Sequence, residues 1–398
     1  MAAIDVTAST LSRRLGARLA EQRARDLYRQ RRVVDAVAGT RVRIDGRELI
    51  NFSSNDYLGL AGHPQVVAAL REAADEYGVG AGAAHLISGH TRAHHQFEEE
   101  LAAFTGRERA LLFSTGYMAN AGVITALTGR HDLILADRLN HASLVDAAQL
   151  SRARLQRYAH GDMAAVARLL DAGGEGWRLI VSDGVFSMDG DVAPLAQLAR
   201  LAADHDAGLM IDDAHGFGVL GEGGAGSLAE AGLDAGAVPV LMGTLGKALG
   251  VFGAFVAGEA ALIETLIQSA RSYIYTTALP PALAAAGRAA LSLVEREAWR
   301  REQVLALARR FRTGAGQLGL ELLPSRTPIQ PLVLGGAATA LRWSAALQEA
   351  GFLVQAIRPP TVPAGSARLR ITFSAGHAEA DVDALLECLA ALAQAAAK

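Results

Sequence analysis

The chain has one cysteine, 5% aromatic residues, 11 prolines and no surplus of either charge, with 38 Lys+Arg against 41 Asp+Glu over 398 residues. The lone thiol, Cys388, cannot close an internal disulfide and offers no metal-ligand cluster, which fits a reducing, cytoplasmic setting. A net charge of −3 supplies no positive field for nucleic acid or an anionic membrane, so neither is expected as a partner. Hydrophobic runs are short. Nothing approaches the ~18 uninterrupted apolar residues of a membrane span. Asp5, Arg13, Arg14, Arg18 and Glu21 break up Met1 to Arg25, so no secretory signal is expected there. What remains is 51% hydrophobic, with 42 glycines, and rules out disorder. At ~100 to 200 residues per domain the length suggests about two or three folding units.

Residues 9–31 read as an amphipathic helix, with Leu11, Leu15, Leu19 and Leu27 near one face and arginines on the other. From Pro64 onward short apolar runs alternate with helical stretches. Ala110–Phe113, Leu133–Ala136, Leu179–Ser182, Leu209–Asp212 and Val238–Met242 read as buried strands, the pattern of a mostly parallel sheet covered on both faces. Ligands in such sheets lie beyond the carboxyl ends of the strands, so the polar residues that follow each run are the candidates for chemistry. After Pro280-Pro281 come a long helix at 295–318, a strand at Ile329–Leu334, a helix at 339–350, strands at Phe352–Ile357 and Arg368–Thr372, and an alanine-rich final helix. The expected division is an N-terminal arm and helix (1–50), a large domain (51–290) and a small α+β domain (291–398).

Gly243-Thr-Leu-Gly-Lys247-Ala-Leu-Gly250 follows a buried strand and sets one lysine among glycines. Partial desolvation there would lower its pKa and free an amine to form a Schiff base, although an isolated Gly-Lys pair is ordinarily a turn lysine. Ile211-Asp-Asp-Ala-His-Gly216 ends another strand. A carboxylate fixed at that end suits a protonated pyridine nitrogen. Two acids and a histidine could instead hold a metal, but strand alternation sends Asp212 and Asp213 to opposite faces, and no metal is expected. His90 and His94 offer half a zinc site that no glutamate-histidine pattern completes, and read as surface or packing residues. Ser114-Thr-Gly116-Tyr117 opens a helix whose free N–H groups could hold a phosphate, or is a plain strand-to-helix turn. Asn140-His141 follows a strand where an imidazole could lie flat on a heteroaromatic ring, and the Ser187 hydroxyl follows another. Gly221-Glu-Gly-Gly-Ala-Gly226 matches a dinucleotide fingerprint, yet its strand ends too early, so a mobile loop over the active site is expected instead.

Asn51-Phe-Ser-Ser-Asn-Asp-Tyr-Leu-Gly-Leu60, Val185-Phe-Ser-Met-Asp-Gly-Asp191, Asp212-Asp-Ala-His-Gly216 and Thr244-Leu-Gly-Lys247 together resemble the α-oxoamine synthases, from about Arg23 to the last helix. The resemblance implies an α/β fold of PLP-dependent transferase fold type I, aspartate-aminotransferase-like. Its large domain carries a mostly parallel seven-stranded sheet, and a small α+β domain follows. It implies pyridoxal 5'-phosphate (PLP) as cofactor, with Lys247 as Schiff-base lysine and later acid/base, Asp212 on the ring nitrogen, and His141 stacked on the ring. His215 and Ser187 would sit about the phenolic oxygen; Thr244, Gly116 and Tyr117 would lie near the phosphate. Thr276 and Thr277 would reach the phosphate from the neighbouring subunit of a homodimer.

Arg29, Arg358 and Thr361 match substrate-contacting positions, and Asn55 lies in a motif at the entrance. Ile357-Arg-Pro-Pro-Thr-Val-Pro-Ala-Gly-Ser-Ala-Arg-Leu-Arg-Ile-Thr372 most resembles the branch that condenses L-alanine with pimeloyl-CoA, or a pimeloyl carrier protein (pimeloyl-ACP), with loss of CO2. A dicarboxylic acyl group calls for a cation at the far end of its channel, for which Arg29 and Arg358 are the candidates. His85 and Phe217 depart from the family pattern, at an Arg and at a small hydroxyl residue respectively. Ala84, where glycine-using relatives often carry Thr, favours alanine. A glycine-using member of the family, a silent dimer partner and a nicotinamide oxidoreductase are the alternatives.

Overall fold

The computed structural model describes residues 9–174 and 176–396. Residues 1–8 of the expected N-terminal arm and the last two residues of the chain lie outside the described residues. The strands are β1 (Ala36–Ala38), β2 (Arg41–Ile44), β3 (Arg47–Asn51), β4 (Arg109–Phe113), β5 (Leu133–Asp137), β6 (Arg154–Tyr158) and β7 (Arg178–Asp183). They continue as β8 (Gly208–Asp212), β9 (Val240–Thr244), β10 (Ala254–Gly258), β11 (Ile329–Gly335), β12 (Phe352–Leu353), β13 (Gln355–Ile357) and β14 (Ala367–Thr372).

A seven-stranded sheet of order β4-β10-β9-β8-β7-β5-β6 forms the centre. Its strands run parallel except β10, which is antiparallel to both neighbours. β5, β7 and β8 are continuous apolar runs because both faces of the sheet are covered. Strand alternation sorts their side chains into two cores. Leu135, Ile180, Leu209, Ile211 and Leu241 pack on one face. Ile134, Val181, Met210, Val240 and Met242 pack on the other, against Ala119, Val123, Leu144 and Ala147 of helices Gly116–Leu127 and Ala142–Ser151. The same two-residue period aims the polar residues at the strand ends. Asp183, Asp212 and Thr244 fall in step with the second face, whereas Asp137 and Asp213 fall in step with the first.

A three-stranded sheet, β11-β14-β13, stands apart, and β1-β2-β3-β12 form a third sheet in which β12 runs parallel to β3. The stretch Phe352–Ile357, expected as one strand, is therefore two strands in different sheets, broken at Val354. β1 to β3, β6 and β10 were not foreseen, and β9 begins at Val240 rather than Val238. β6, Arg-Leu-Gln-Arg-Tyr, mixes charged, polar and apolar residues at a sheet edge, and β1 to β3 are short and half-exposed, so these four are not continuous apolar runs.

The helix expected at 9–31 spans only Thr10–Ala24. Arg25 caps it, and Asp26 turns the chain with φ 55°. None of its residues is buried, and Leu11, Leu15 and Leu19 are 64%, 49% and 41% exposed, so its apolar stripe meets no core within the protomer. The helix expected at 295–318 runs from Ala298 to Gln317, preceded across Glu297 by a helix Pro281–Arg296 that lies in the main core. The glycine-rich 221–226 segment, expected as a mobile loop, is a pinned turn. Gly226 N–H donates to the Leu220 carbonyl, and the next residue, Ser227, donates from both N–H and Oγ to the buried carboxylate of Asp213, at 2.7 and 2.6 Å. Among the described residues no helix is long and apolar enough to cross a membrane.

Candidate active site

The carboxyl ends of β4, β5, β7, β8 and β9 deliver Ser114–Tyr117, His141, Asp183, Asp212 and Lys247 to one edge of the sheet. Lys247 lies in the turn after β9, where its carbonyl accepts from Gly250 N–H at 3.0 Å. Gly250 has φ +65°, and a Cβ there would stand 2.3 Å from the Ala61 nitrogen. Only glycine lets this turn seat against the end of the Asn51–Leu60 segment. Lys247 is half-buried, and burial drives its amine down to about 8 against the opposing pull of the Asp212 and Asp183 carboxylates.

Asp212 is buried and fixed from two sides. Its Oδ2 accepts from Asn120 Nδ2 at 2.8 Å and its Oδ1 from Ala214 N–H at 3.1 Å. Asn120 projects from helix Gly116–Leu127 and also donates to Ser143 Oγ at 2.8 Å. Ser143 Oγ lies 2.7 Å from His141 Nδ1, and that nitrogen also accepts the Ser143 backbone N–H at 3.3 Å, as an unprotonated ring nitrogen does. The proton of neutral His141 therefore sits on Nε2. His141 caps helix Ala142–Ser151, exposes its ring, and receives a further tether from Asp183 Oδ2, which accepts its N–H at 2.6 Å. Asp183 is held well above the usual carboxylate range by burial and then by the charge of Asp212. Burial likewise lowers His141.

His215 is buried and held well below its usual pKa by desolvation, then by Lys247 and Arg370, so it is neutral. Its Nδ1 lies 2.7 Å from the Tyr57 hydroxyl. Asn55 Oδ1 accepts from both terminal nitrogens of Arg370 at 3.2 Å and from the Tyr57 hydroxyl at 3.3 Å, so Tyr57 bridges Asn55 and the His215 ring. Arg370 Nε donates to the Ser187 carbonyl at 2.6 Å, binding β14 to the Val185–Asp191 segment, with N–H donors left over.

Among the expected residues, Lys247, Asp212, His141, His215, Ser187 and Asn55 fall in this one network. Thr244 is half-buried and lies in step with Asp212. Gly116 opens its helix, and a Cβ there would stand 2.8 Å from Thr244 Cγ2. Among the described residues the Gly116 and Tyr117 N–H groups find no partner in the protein, while the Tyr117 hydroxyl donates to Asp146 at 2.6 Å. Thr276 and Thr277 follow helix Arg271–Ile274, and among the described residues no hydrogen bond joins them to the network. Arg29 and Thr361 meet elsewhere: Arg29 Nη2 donates to Thr361 Oγ1 at 3.0 Å, and Arg358 donates to the Asp26 carbonyl. Two clefts of about 570 and 690 Å³ flank that second group along the N-terminal arm. Of the two departures from the family pattern, Phe217 is buried edge-on against Phe255, and His85 stacks on Tyr273.

Asn120, Ser143, Asp183, Tyr57 and Arg370 were not singled out from the sequence. Only Tyr57 and Arg370 had a local signal, since both stand inside quoted motifs. The network fits a phosphorylated pyridine aldehyde. It offers an amine of lowered pKa, a buried acid for a ring nitrogen, an exposed imidazole face, a buried neutral imidazole and a helix start with free N–H groups.

The class I and II aminotransferase family model matches residues 47–389. The 8-amino-7-oxononanoate synthase of Thioalkalivibrio sulfidiphilus is 63% identical over 95% of this chain and 96% of its own, and that of Pseudomonas putida 60% identical over 94% and 96%. Among solved structures, a serine palmitoyltransferase of S. paucimobilis with PLP bound as a myriocin adduct superposes with TM-score 0.92 at 30% identity, covering 97% of this chain and 99% of its own. The 8-amino-7-oxononanoate synthase of Francisella tularensis gives 0.78 at 32%, over 88% and 99%. Full-length similarity at this level, on a site whose donor set fits the cofactor, leads to one conclusion: the chain belongs to the class I and II aminotransferase family and, within it, to the family of the 8-amino-7-oxononanoate synthases.

Proposed function

We propose that this protein is a PLP-dependent acyltransferase that condenses L-alanine with pimeloyl-CoA, or pimeloyl-ACP, releasing CO2 and the free thiol and forming 8-amino-7-oxononanoate on the route to biotin. The observation that supports this reading most directly is the meeting of a lysine of lowered pKa with a hydrogen-bonded buried carboxylate at one end of the sheet. When bound, pyridoxal 5'-phosphate supplies an aldehyde for the amino group and a cationic ring that spreads the electrons left at the α-carbon.

The chain's own residues do the rest. Near neutral pH Lys247 can hold or release a proton at Nζ, which would suit it to hold the aldehyde and to take and return a proton at the substrate α-carbon. Asp212 would keep a proton on the ring nitrogen, and Asn120 and the Ala214 N–H hold the carboxylate in place without neutralising it. His141 offers a ring face at an orientation set by Ser143. His215 and Ser187 would hydrogen-bond about the phenolic oxygen. Gly116, Tyr117 and Thr244 would receive the phosphate at the helix start, and Thr276 and Thr277 would reach it from the second subunit of a homodimer. Asn55 lines the entrance. Arg29, Arg358 and Thr361 bind the acyl substrate, the two cations matching its distal carboxylate. The free thiol of Cys388 fits a cytoplasmic place.

The test is product mass after incubation with pimeloyl-CoA and either alanine or glycine. Alanine is expected to give 8-amino-7-oxononanoate with equimolar CoA. Thiol release with glycine alone would overturn the reading.

A further inference from the structure

Four of the chain's 11 histidines, His85, His90, His94 and His95, crowd into eleven residues that the proposed reaction does not use. We propose that three side chains here, His90, His95 and Glu98, form a binding site for a divalent transition metal of the zinc type.

His95 and Glu98 stand three apart on helix Arg92–Phe104 and so share a face, while His90 reaches them from the preceding turn. One ligand atom from each lies within 4.8 Å of the other two. His90 Nε2 and Glu98 Oε2 are 3.9 Å apart. Ligands at ~2.0 to 2.1 Å around a tetrahedral zinc stand about 3.4 Å from one another, so His90 and Glu98 close by about half an ångström. His95 Nε2 stands 3.4 Å from Glu99 Oε1 in an exposed pair, and the side chain, 54% exposed, has the rotational freedom to turn from Glu99 and supply the rest.

The other atoms of these groups are already engaged in ways that orient the set. Glu98 Oε1 accepts the Leu112 N–H at 2.9 Å and leaves Oε2 for a cation. His90 Nδ1 lies 3.1 Å from His85 Nδ1, which fixes the His90 ring and leaves Nε2 facing Glu98. His85 is itself stacked on Tyr273. Partners of this kind behind the ligands are what metal sites ordinarily require. His94 takes no part, since its ring is buried between the Thr91 N–H and the Leu279 carbonyl.

His90, His95 and Glu98 line a cleft of about 270 Å³ with Glu99 and Glu108, room for a water in the fourth position. Arg109 is the one cation among the residues lining that cleft, and its guanidinium is turned to Glu264 at 3.3 Å. Two imidazoles and one carboxylate suit zinc over magnesium or calcium, which prefer oxygen-only shells. No hydrogen bond links the cluster to Lys247 among the described residues, so the inference stands apart from the reaction proposed above. A bound ion would clamp the turn at residues 85–90 to the helix Arg92–Phe104.

The experiment is calorimetric titration of Zn2+ into the PLP-loaded protein after free cofactor is removed, with a thermal melt in parallel. One zinc per chain and a raised Tm are expected. His95→Ala and Glu98→Gln should each weaken binding about tenfold or more and abolish the Tm shift, while His131→Ala, at an exposed remote histidine, should not. Because His95 is exposed, its variant tests the site even if the change at half-buried Glu98 impairs folding. Absence of stoichiometric binding, or equal binding by His95→Ala, overturns the proposal.

Discussion

The cleft at the end of the central sheet and the cleft along the N-terminal arm both gather polar side chains from distant parts of the chain, but they hold them differently. Around Lys247 each group is buried or tied to at least one fixed partner: Asp212 to Asn120, His215 to Tyr57, Arg370 to Asn55 and Ser187. Along the arm, Arg29 and Thr361 are exposed, Arg358 is half-buried, and single bonds connect them to loops. The first arrangement is rigid before any ligand arrives, as stabilisation of developing charge requires. The second leaves donors adjustable, as suits a long, flexible acyl chain ending in a carboxylate. Chemistry and substrate selection should therefore separate cleanly under mutation.

The most severe break is Lys247→Ala, which should leave a folded protein with no measurable turnover and no visible absorption band that borohydride removes. Asp212→Asn comes next. It keeps the shape and one of the two hydrogen bonds, to Asn120 or to the Ala214 N–H, but loses the charge, and kcat should fall by about a hundredfold or more with little change in KM for alanine. Full activity would refute its role at the ring nitrogen. Arg358→Ala should do the reverse, raising KM for pimeloyl-CoA about tenfold, the worth of ~1.4 kcal/mol, with kcat near normal. If kcat falls instead, the two clefts are not divided in this way.

The Lys247 amine is lowered to about 8, so its free form, and with it the rate at which apo-protein captures pyridoxal phosphate, should rise as pH passes through about 8. A rise centred near 10 would show an amine in open water.

The smallest effect concerns the other face of the sheet. His160 is raised to about 10 by its hydrogen bonds to Asp137 and Asp191, at 3.1 and 2.8 Å. Its folded pKa exceeds the unfolded value of 6.5. The stability it contributes is full below about 6.5 and is lost as pH climbs through about 10. His160→Gln should flatten that part of the stability profile and leave turnover unchanged.

Much of the central sheet was legible because buried parallel strands are continuous apolar runs, and strands of that kind carry the site at their ends. β6 and β10 were not, the first because an edge strand can carry charge, the second because Ala254–Gly258 is short and flanked by other apolar residues. The first helix was over-extended because Leu27 continues its apolar spacing, although the chain turns at Asp26 before reaching it. At the site, Lys247, Asp212 and His215 announced themselves through short motifs. Asn120 did not, since an asparagine within an apolar helix gives no local sign that a carboxylate waits across the core.

By itself the sequence determined what depends on near neighbours. The two-residue period sends Asp212 toward one face and Asp213 toward the other, and the glycines about Lys247 shape its turn. Only the tertiary structure decided which partners those groups meet. Asn120 reaches Asp212 across 92 positions, Tyr57 reaches His215 across 158, and Arg370 reaches the Ser187 carbonyl across 183. Contacts at such separations are set by how whole layers of the fold pack, because the loss of water on packing makes an unpartnered polar group costly and so selects the pairing.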